Sequence, residues 1–275
     1  MEYKCDFIDG TTLTDVWFQT VYKCIESGRD FNIDRGSNAG QKRLEFDFIT
    51  IQVKHPEIRP LLPQIPAHYK LPNPVADDYL DQYMPYLMTG HVEEGEAYTY
   101  GQRLNEFPID VEVVRNWDGE EKREIYIQDD EVWDVTSPSA DRSISSQLFG
   151  YYLSQINLAI WTYKNKGFRN NQMCMEVGAP SDMLLQDPPC LRLIDTRIQD
   201  GQLHFIVYFR SWDLWGGFPA NLAAIQLLKE HMALAIGVES GVTVAVSKGL
   251  HLYDYVWELA ELLRGKSIND FREGK

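Results

Sequence analysis

A thiol becomes a strong nucleophile when a nearby cation stabilises its thiolate. Cys190 and Arg210 stand twenty positions apart, and the residues between them bring them together. Cys190 to Ile198 and Leu203 to Ser211 are both rich in β-formers, with Asp200-Gly201 between them. Asp-Gly is a strong hairpin signal, because both central residues of a type I′ turn need positive φ. With Gln199 facing Gln202, Cys190 falls opposite Ser211 and Leu191 opposite Arg210. A thiol, a hydroxyl and a guanidinium then meet at one end of the hairpin. Strict alternation sends Arg210 and Ser211 to opposite faces, so both serve one ligand only if the strand end is bulged. A cysteine at a strand start is, taken alone, more often a small buried hydrophobe. Polar groups accumulate after this hairpin, however: Asp213, the Gly216-Gly217 pair that lets backbone approach a ligand, Asn221, His251 and Tyr253.

The elements that must position these residues follow from periodicity. Thr12 to Ser27 has apolar positions at helical spacing, with Thr11 or Thr12 as N-cap and Gly28 at the end. A turn-rich segment, Asp34 to Gly40, leads into an alternating strand over Leu44 to Val53. Prolines from Pro56 to Pro74 imply an extended loop, and Asp77 to Met88 reads as a short helix closed by Gly90. Asn116 to Asp134 reads as an acidic, solvated excursion, and Ser143 to Lys164 as a helix. A helix from Leu222 to Ile236, a strand from Val242 to Ser247 and a closing helix from Asp254 to Leu263 complete a mixed α/β (α+β) domain over residues 1–275.

Composition narrows the function. The chain has 275 residues, 44% hydrophobic and 24% charged, as an ordinary globular domain does. Its 26 Lys and Arg against 41 Asp and Glu leave a charge of −15, which argues against non-specific binding to nucleic acids or anionic membranes. An anionic ligand must then be held by a local group of arginines. No apolar run is long enough to span a membrane and the start lacks a leader pattern, so a cytoplasmic location is expected. Cys5, Cys24, Cys174 and Cys190 are too few and scattered for a disulfide scaffold or a zinc site; no metal is expected. His204 and His231 read as structural, and the other three cysteines as inert. Trp212, Trp215 and Phe218 fit either loop packing or the wall of a ligand pocket.

Asp187-Pro188-Pro189-Cys190, then Arg210-Ser211-x-Asp213 with Gly217-x-Pro219-x-Asn221, and finally His251-x-Tyr253, resemble the signature of the folate-dependent thymidylate synthase family. Asp34-Arg35-Gly36 resembles its phosphate-binding loop and Tyr98-Thr99-Tyr100-Gly101 its Tyr-Gly motif. The resemblance implies a mixed sheet flanked by helices in a homodimer packed sheet to sheet. It also implies that Cys190 adds to C6 of dUMP and activates C5 for one-carbon transfer from 5,10-methylenetetrahydrofolate or a related reduced pterin. Arg35, Arg210 and Ser211 would hold the 5′-phosphate, with Arg169 donated across the dimer interface. Asn221 would pair with the base at O4 and N3, and His251 and Tyr253 would contact the 3′-hydroxyl. Asp213 and Gly217 would line the base and the pterin, and Tyr100 would help deprotonate C5.

This chain also departs from the family pattern. Leu191 follows the nucleophile where His is usual, and Phe209 precedes Arg210 where Gln is usual. Arg169-Asn170 replaces a tandem Arg. The glutamate general base has no counterpart, with Asp78 or Asp81 as substitutes. The chain ends soon after His251, without the long extension that closes over folate in the usual enzyme and excludes water from the reductive step. In these respects it resembles short archaeal and anaerobe-type members. Three functions follow in order: a dUMP methylase, a deoxyuridylate hydroxymethylase, and a non-catalytic nucleotide-binding relative.

If the arginines share a phosphate, Arg35→Ala or Arg210→Ala weakens dUMP binding far more than replacing a surface lysine. Calorimetric titration giving equal effects for both kinds of change would refute the assignment.

Overall fold

The computed structural model describes residues 2–34, 38–109, 124–128, 131–134 and 151–274. Strand β1 (Cys5–Gly10) leads into helix α1 (Leu13–Ser27), where Thr12 caps the helix by accepting the Asp15 N–H at 3.1 Å. One face of α1, including Val16, Trp17, Val21 and Cys24, is fully buried. Trp17 Nε1 donates to the carbonyls of Leu214 (3.0 Å) and Trp215 (3.2 Å), tying this helix to the loop that follows the predicted hairpin.

After β2 (Arg29–Asn32), the strand expected over Leu44 to Val53 divides into β3 (Lys42–Glu45) and β4 (Phe48–Val53), which join different sheets. The break has a local cause. Phe46 is buried and its backbone bonds to Leu250 and Gly249, while Asp47 pairs with Arg29 at 2.6 Å. The proline-rich segment runs without regular structure apart from a 3₁₀ turn (Ala67–Tyr69), and α2 (Tyr79–Leu87) matches the predicted short helix.

Helix α3 (Tyr100–Asn105) is capped by Thr99, and β5 (Phe107–Ile109) pairs with β8 (Tyr151–Leu153). The described parts of the acidic excursion form a hairpin, β6 (Glu124–Gln128) and β7 (Glu131–Asp134). The helix expected from Ser143 starts later, as α4 (Gln155–Lys166). Ser154 caps it, and β8 lies in strand pairing just before; residues 143–150 are outside the described residues.

Next come β9 (Cys174–Glu176), β10 (Leu191–Gln199) and β11 (Gln202–Phe209). The turn between β10 and β11 has Asp200 at φ 52° and Gly201 at φ 74°, the positive pair that Asp-Gly predicts. The short β12 (Trp212–Asp213) precedes α5 (Gly217–Ile236), which begins five residues before the predicted Leu222. Asp213 accepts the first amides of this helix, and Pro219 fits in the first turn, where its missing N–H has no intrahelical partner to lose. Strands β13 (Glu239–Ser247) and β14 (Leu250–Tyr253) follow. The closing helix begins as a 3₁₀ turn (Asp254–Val256), continues as α6 (Trp257–Arg264) and is followed by α7 (Ile268–Arg272).

Six strands form a mixed sheet in the order β1-β4-β13-β11-β10-β9, and β12-β14-β3-β2 form a second. Alternate residues of the large sheet, such as Ile51, Ala245, Val207 and Ile194, are buried in the core shared with α1 and α5. On the opposite face a row crosses five strands in register: Phe7, Thr50, Val246, Tyr208 and Leu193. Every residue of that row retains solvent exposure, and Phe7 is 58% exposed.

One charge lies inside the core. Lys229 of α5 is fully buried, with Nζ donating to Gly241 O and Thr243 Oγ1, each at 2.6 Å. Burial lowers its pKa from 10.5 to about 7, opposed by Glu57 and Glu230. Between those values the unfolded chain binds the proton that the folded chain has lost, so this group makes stability rise with pH from about 7 towards 10.5. Lys229→Met should flatten that part of the profile. Urea unfolding at pH 7 and pH 9 checks it, and equal slopes in both proteins would contradict the burial effect.

Candidate active site

The hairpin departs from its predicted register at one point. From Gln199 paired with Gln202 up to Leu193 paired with Tyr208 the pairing is as expected; a bulge at Arg192 then shifts it by one, so that Leu191 faces Phe209. Cys190 is therefore opposite Arg210, with the Arg210 N–H donating to Cys190 O at 2.8 Å, and not opposite Ser211. The extra residue tightens the local twist and re-aims the strand end.

Cys190 is half-buried, and the Arg210 guanidinium folds onto the carbonyls of the loop just before it. Arg210 Nε donates to Pro188 O (3.2 Å) and Pro189 O (3.1 Å), and Nη2 bonds Pro188 O and pairs with Asp187 at 3.2 Å. Burial pushes the thiol pKa up; Arg210 pulls it down, Asp187 adds to the rise, and Arg192 pulls down again. The sequence argument expected a depressed thiol, but burial outweighs the guanidinium in the free chain. Ser211 follows in the bend beside Arg210, partly exposed.

Tyr100 borders the thiol, its hydroxyl accepting the Leu191 N–H at 3.2 Å. Burial first, and then Cys190, pushes the Tyr100 hydroxyl far above its ordinary pKa, so it remains protonated. Tyr98 donates to Asp187 O (3.3 Å), and its pKa is pushed up to about 12, chiefly by burial. Tyr98 is held by an ion-pair network absent from the sequence reading. Asp182, 1% exposed, accepts Arg103 at 2.7 Å and lies 3.6 Å from Arg192, while the Arg103 guanidinium covers the Tyr98 ring. The Arg192 guanidinium lies flat on Gly178, where a Cβ would come within 2.2 Å of Cζ. Tyr83, Tyr86, Tyr98 and Tyr100, with Glu96, line a cavity of ≈ 230 Å³ beside this cluster.

The Asp213 carboxylate is occupied. It accepts the amides of Trp215 (3.2 Å), Gly216 (3.1 Å) and Gly217 (2.9 Å), so the glycine pair binds this carboxylate and does not offer free amides to a ligand. Asn221 is the fifth residue of α5. Its Oδ1 accepts Trp212 Nε1 at 3.0 Å and its Nδ2 donates to Tyr83 Oη at 3.4 Å. Trp212, Trp215 and Phe218 are buried, which settles them as packing residues of this loop.

β14 pairs with β12, which places His251 beside Asp213. His251 Nδ1 meets Gly249 O at 2.8 Å; a carbonyl only accepts, so the ring proton is on Nδ1 and Nε2 carries a lone pair. That Nε2 is buried and unpartnered among the described residues. Burial lowers the His251 pKa to about 4, keeping the ring neutral at pH 7. Tyr253 packs edge-on against His251 and accepts Asn38 Nδ2 at 2.9 Å.

The remaining predicted residues lie elsewhere. Arg35 is outside the described residues. Arg169 lines a groove of ≈ 480 Å³ with Phe168, Asn170, Arg197 and Gln199, at the turn end of β10. At roughly 3.3 Å per residue that end is about 25 Å from Cys190, so Arg169 cannot join Arg210 within one chain. Asp78 and Asp81 are exposed on the far side of α2 from Tyr83, away from Cys190. The described residues contain no cluster of three metal-ligating side chains, and no described helix is long and apolar enough to cross a membrane. Tyr83 and Asp182 escaped the sequence reading; the Tyr79-Tyr83 spacing on α2 was the one available signal.

The sequence profile of a protein family described as "Thymidylate synthase" matches residues 101–269. The chain is 26% identical over 254 residues to a "Putative thymidylate synthase" of Methanosarcina mazei, covering 92% of each. A protein of the same description from Methanosarcina acetivorans is 26% identical over 256 residues, again covering 92% of each. A "Deoxyuridylate hydroxymethyltransferase" of Bacillus phage SP01 is 39% identical over 79 residues, 28% of this chain and 21% of that protein.

The charges around the thiol predict opposite responses. Asp187→Asn should lower the pH at which Cys190 is alkylated, and Arg210→Ala should raise it, because the first removes a like charge and the second a stabilising one. Iodoacetamide labelling of Cys190 against pH reads both; shifts of the same sign would disprove this account.

Proposed function

Since the chain belongs to the thymidylate synthase family, we propose that it transfers a one-carbon unit to C5 of dUMP, giving dTMP, through a covalent adduct on Cys190. The observation that carries this reading is the bulge at Arg192, which sets Cys190 against Arg210 and brings Leu191 to Tyr100. A nucleophile, a phosphate-binding cation and a neutral hydroxyl then surround one small space. Membership alone would not require that arrangement.

In the proposed reaction Cys190 Sγ bonds to C6 as its proton leaves to solvent, and the C5–C6 electron pair shifts towards O4. Asn221 Nδ2–H meets the charge that develops on O4. His251 Nε2 is a buried acceptor in need of a donor, which a sugar 3′-hydroxyl supplies. Arg210 exchanges its exposed partner Asp187 for the 5′-phosphate, joined by Ser211 and by Arg35, three positions before the Asn38 that bonds Tyr253. Once C5 carries the new carbon, its proton leaves to water held by the protonated Tyr100 hydroxyl, the Cys190 thiolate departs from C6, and Asp213 acts by fixing the start of α5 below the base.

The cavity lined by Tyr83, Tyr86, Tyr98 and Tyr100 is rich in aromatic rings, which suits the ring of a reduced pterin such as 5,10-methylenetetrahydrofolate. When bound, that carrier supplies the methylene carbon and the hydride for methylation. The row Phe7-Thr50-Val246-Tyr208-Leu193 supports a homodimer packed through this sheet face. In such a dimer Arg169, far from its own Cys190, would serve the partner's phosphate.

A second reading is favoured by the similarity to the phage hydroxymethyltransferase. It shares every step to the methylene intermediate and then adds water. Incubation with 5-fluoro-dUMP and the carrier should leave a covalent adduct on Cys190, seen by mass spectrometry; its absence points to a non-catalytic nucleotide-binding protein. Turnover of dUMP should then give dTMP. Exclusive formation of 5-hydroxymethyl-dUMP would replace the first reading by the second.

A further inference from the structure

Resting on the reading of the site as a uracil nucleotide site, we propose that Trp212 determines base specificity by fixing which end of the Asn221 amide faces the base. The amide of an asparagine has two ends of opposite hydrogen-bonding character and similar shape. Left to itself it turns to suit its neighbour. A ring carbonyl at position 4 requires the N–H end, and an exocyclic amine requires the oxygen.

Two protein groups touch this amide. Tyr83 Oη, 3.4 Å from Nδ2, either donates or accepts and so favours neither orientation. Trp212 Nε1 only donates, and it is 3.0 Å from Oδ1. Turning the amide would set N–H against N–H at that distance. The indole cannot move away, because it is 3% exposed and its ring stacks on Phe209 at 3.7 Å and 4° and packs on Phe218 at 4.6 Å. The amide therefore directs Nδ2–H away from Trp212, where it meets a carbonyl oxygen, while the second lone pair of Oδ1 remains available to a ring N–H. That is the pattern of uracil. The 4-amino group of cytosine would face N–H. The same polarity places a donor where negative charge accumulates on O4 during attack, so one buried indole acts on both selection and rate. Trp212 is a positioning residue here, acting through Asn221.

The test is the ratio of dCMP to dUMP dissociation constants. Trp212→Phe keeps an aromatic ring in the stack and removes the N–H; replacement of the indole by the benzothiophene of β-(3-benzothienyl)alanine keeps the shape as well and covers the case in which phenylalanine does not fold. Thermal melting confirms folding of each. The wild-type chain should prefer dUMP, and both variants should lose about fivefold or more of that preference, mainly through tighter dCMP binding. A folded variant that keeps the wild-type ratio, or that weakens for both nucleotides equally, overturns the role of Trp212 and leaves the uracil reading standing. A wild-type chain with no preference for dUMP overturns both.

Discussion

The bulge at Arg192 is the constraint on which the site depends. A regular ladder would carry Cys190 to Ser211 and leave Arg210 opposite Leu191. One unpaired residue shifts the last part of the hairpin, so that Cys190 O accepts the Arg210 amide and the guanidinium folds back over the Pro188-Pro189 carbonyls. The residue set aside by the bulge is used as well. Arg192 turns onto Gly178 and towards the buried Asp182, which in turn holds Arg103 against Tyr98. The nucleophile loop and Tyr98 are thus fixed to each other by charge.

Several polar groups of this region are satisfied by hydrogen bonds from within the protein. Asp213 satisfies three amides at the start of α5, and Trp212 fixes Asn221 one turn further along. His251 Nε2 is a neutral buried acceptor without a donor in the described residues. An unpaired buried acceptor is costly, and a ligand hydroxyl would remove that cost. Cys190 shows the opposing side of burial: the low-polarity surroundings that strengthen Arg210 and Asn221 also hold the thiol protonated in the free chain.

Much of the frame was legible because it is local. The Thr12 cap, the apolar stripe of α1, the Asp-Gly turn and the alternation of β10 and β11 each follow from a few neighbouring residues, and each formed as the pattern required. Errors arose where a distant partner intervened. Backbone bonds from Phe46 to Gly249 and Leu250 divided one predicted strand between two sheets, and the Asp213 carboxylate drew the start of α5 forward to Gly217.

The sequence by itself determined the chemistry on offer: a cysteine and an arginine at the ends of two adjoining strands, an asparagine, a histidine and a tyrosine in fixed order after them, and an acidic chain in which only a few arginines can hold an anion. Residue types and hairpin spacing suffice for that, because they are properties of short segments. The tertiary structure decided which side chains meet and in what state. The bulge paired Cys190 with Arg210, burial raised the thiol and neutralised His251, the packed indole of Trp212 chose the orientation of Asn221, and the length of β10 separated Arg169 from Cys190. Each of these depends on segments far apart in the chain. Desolvation and donor–acceptor polarity are set by the surroundings, and no local pattern encodes them.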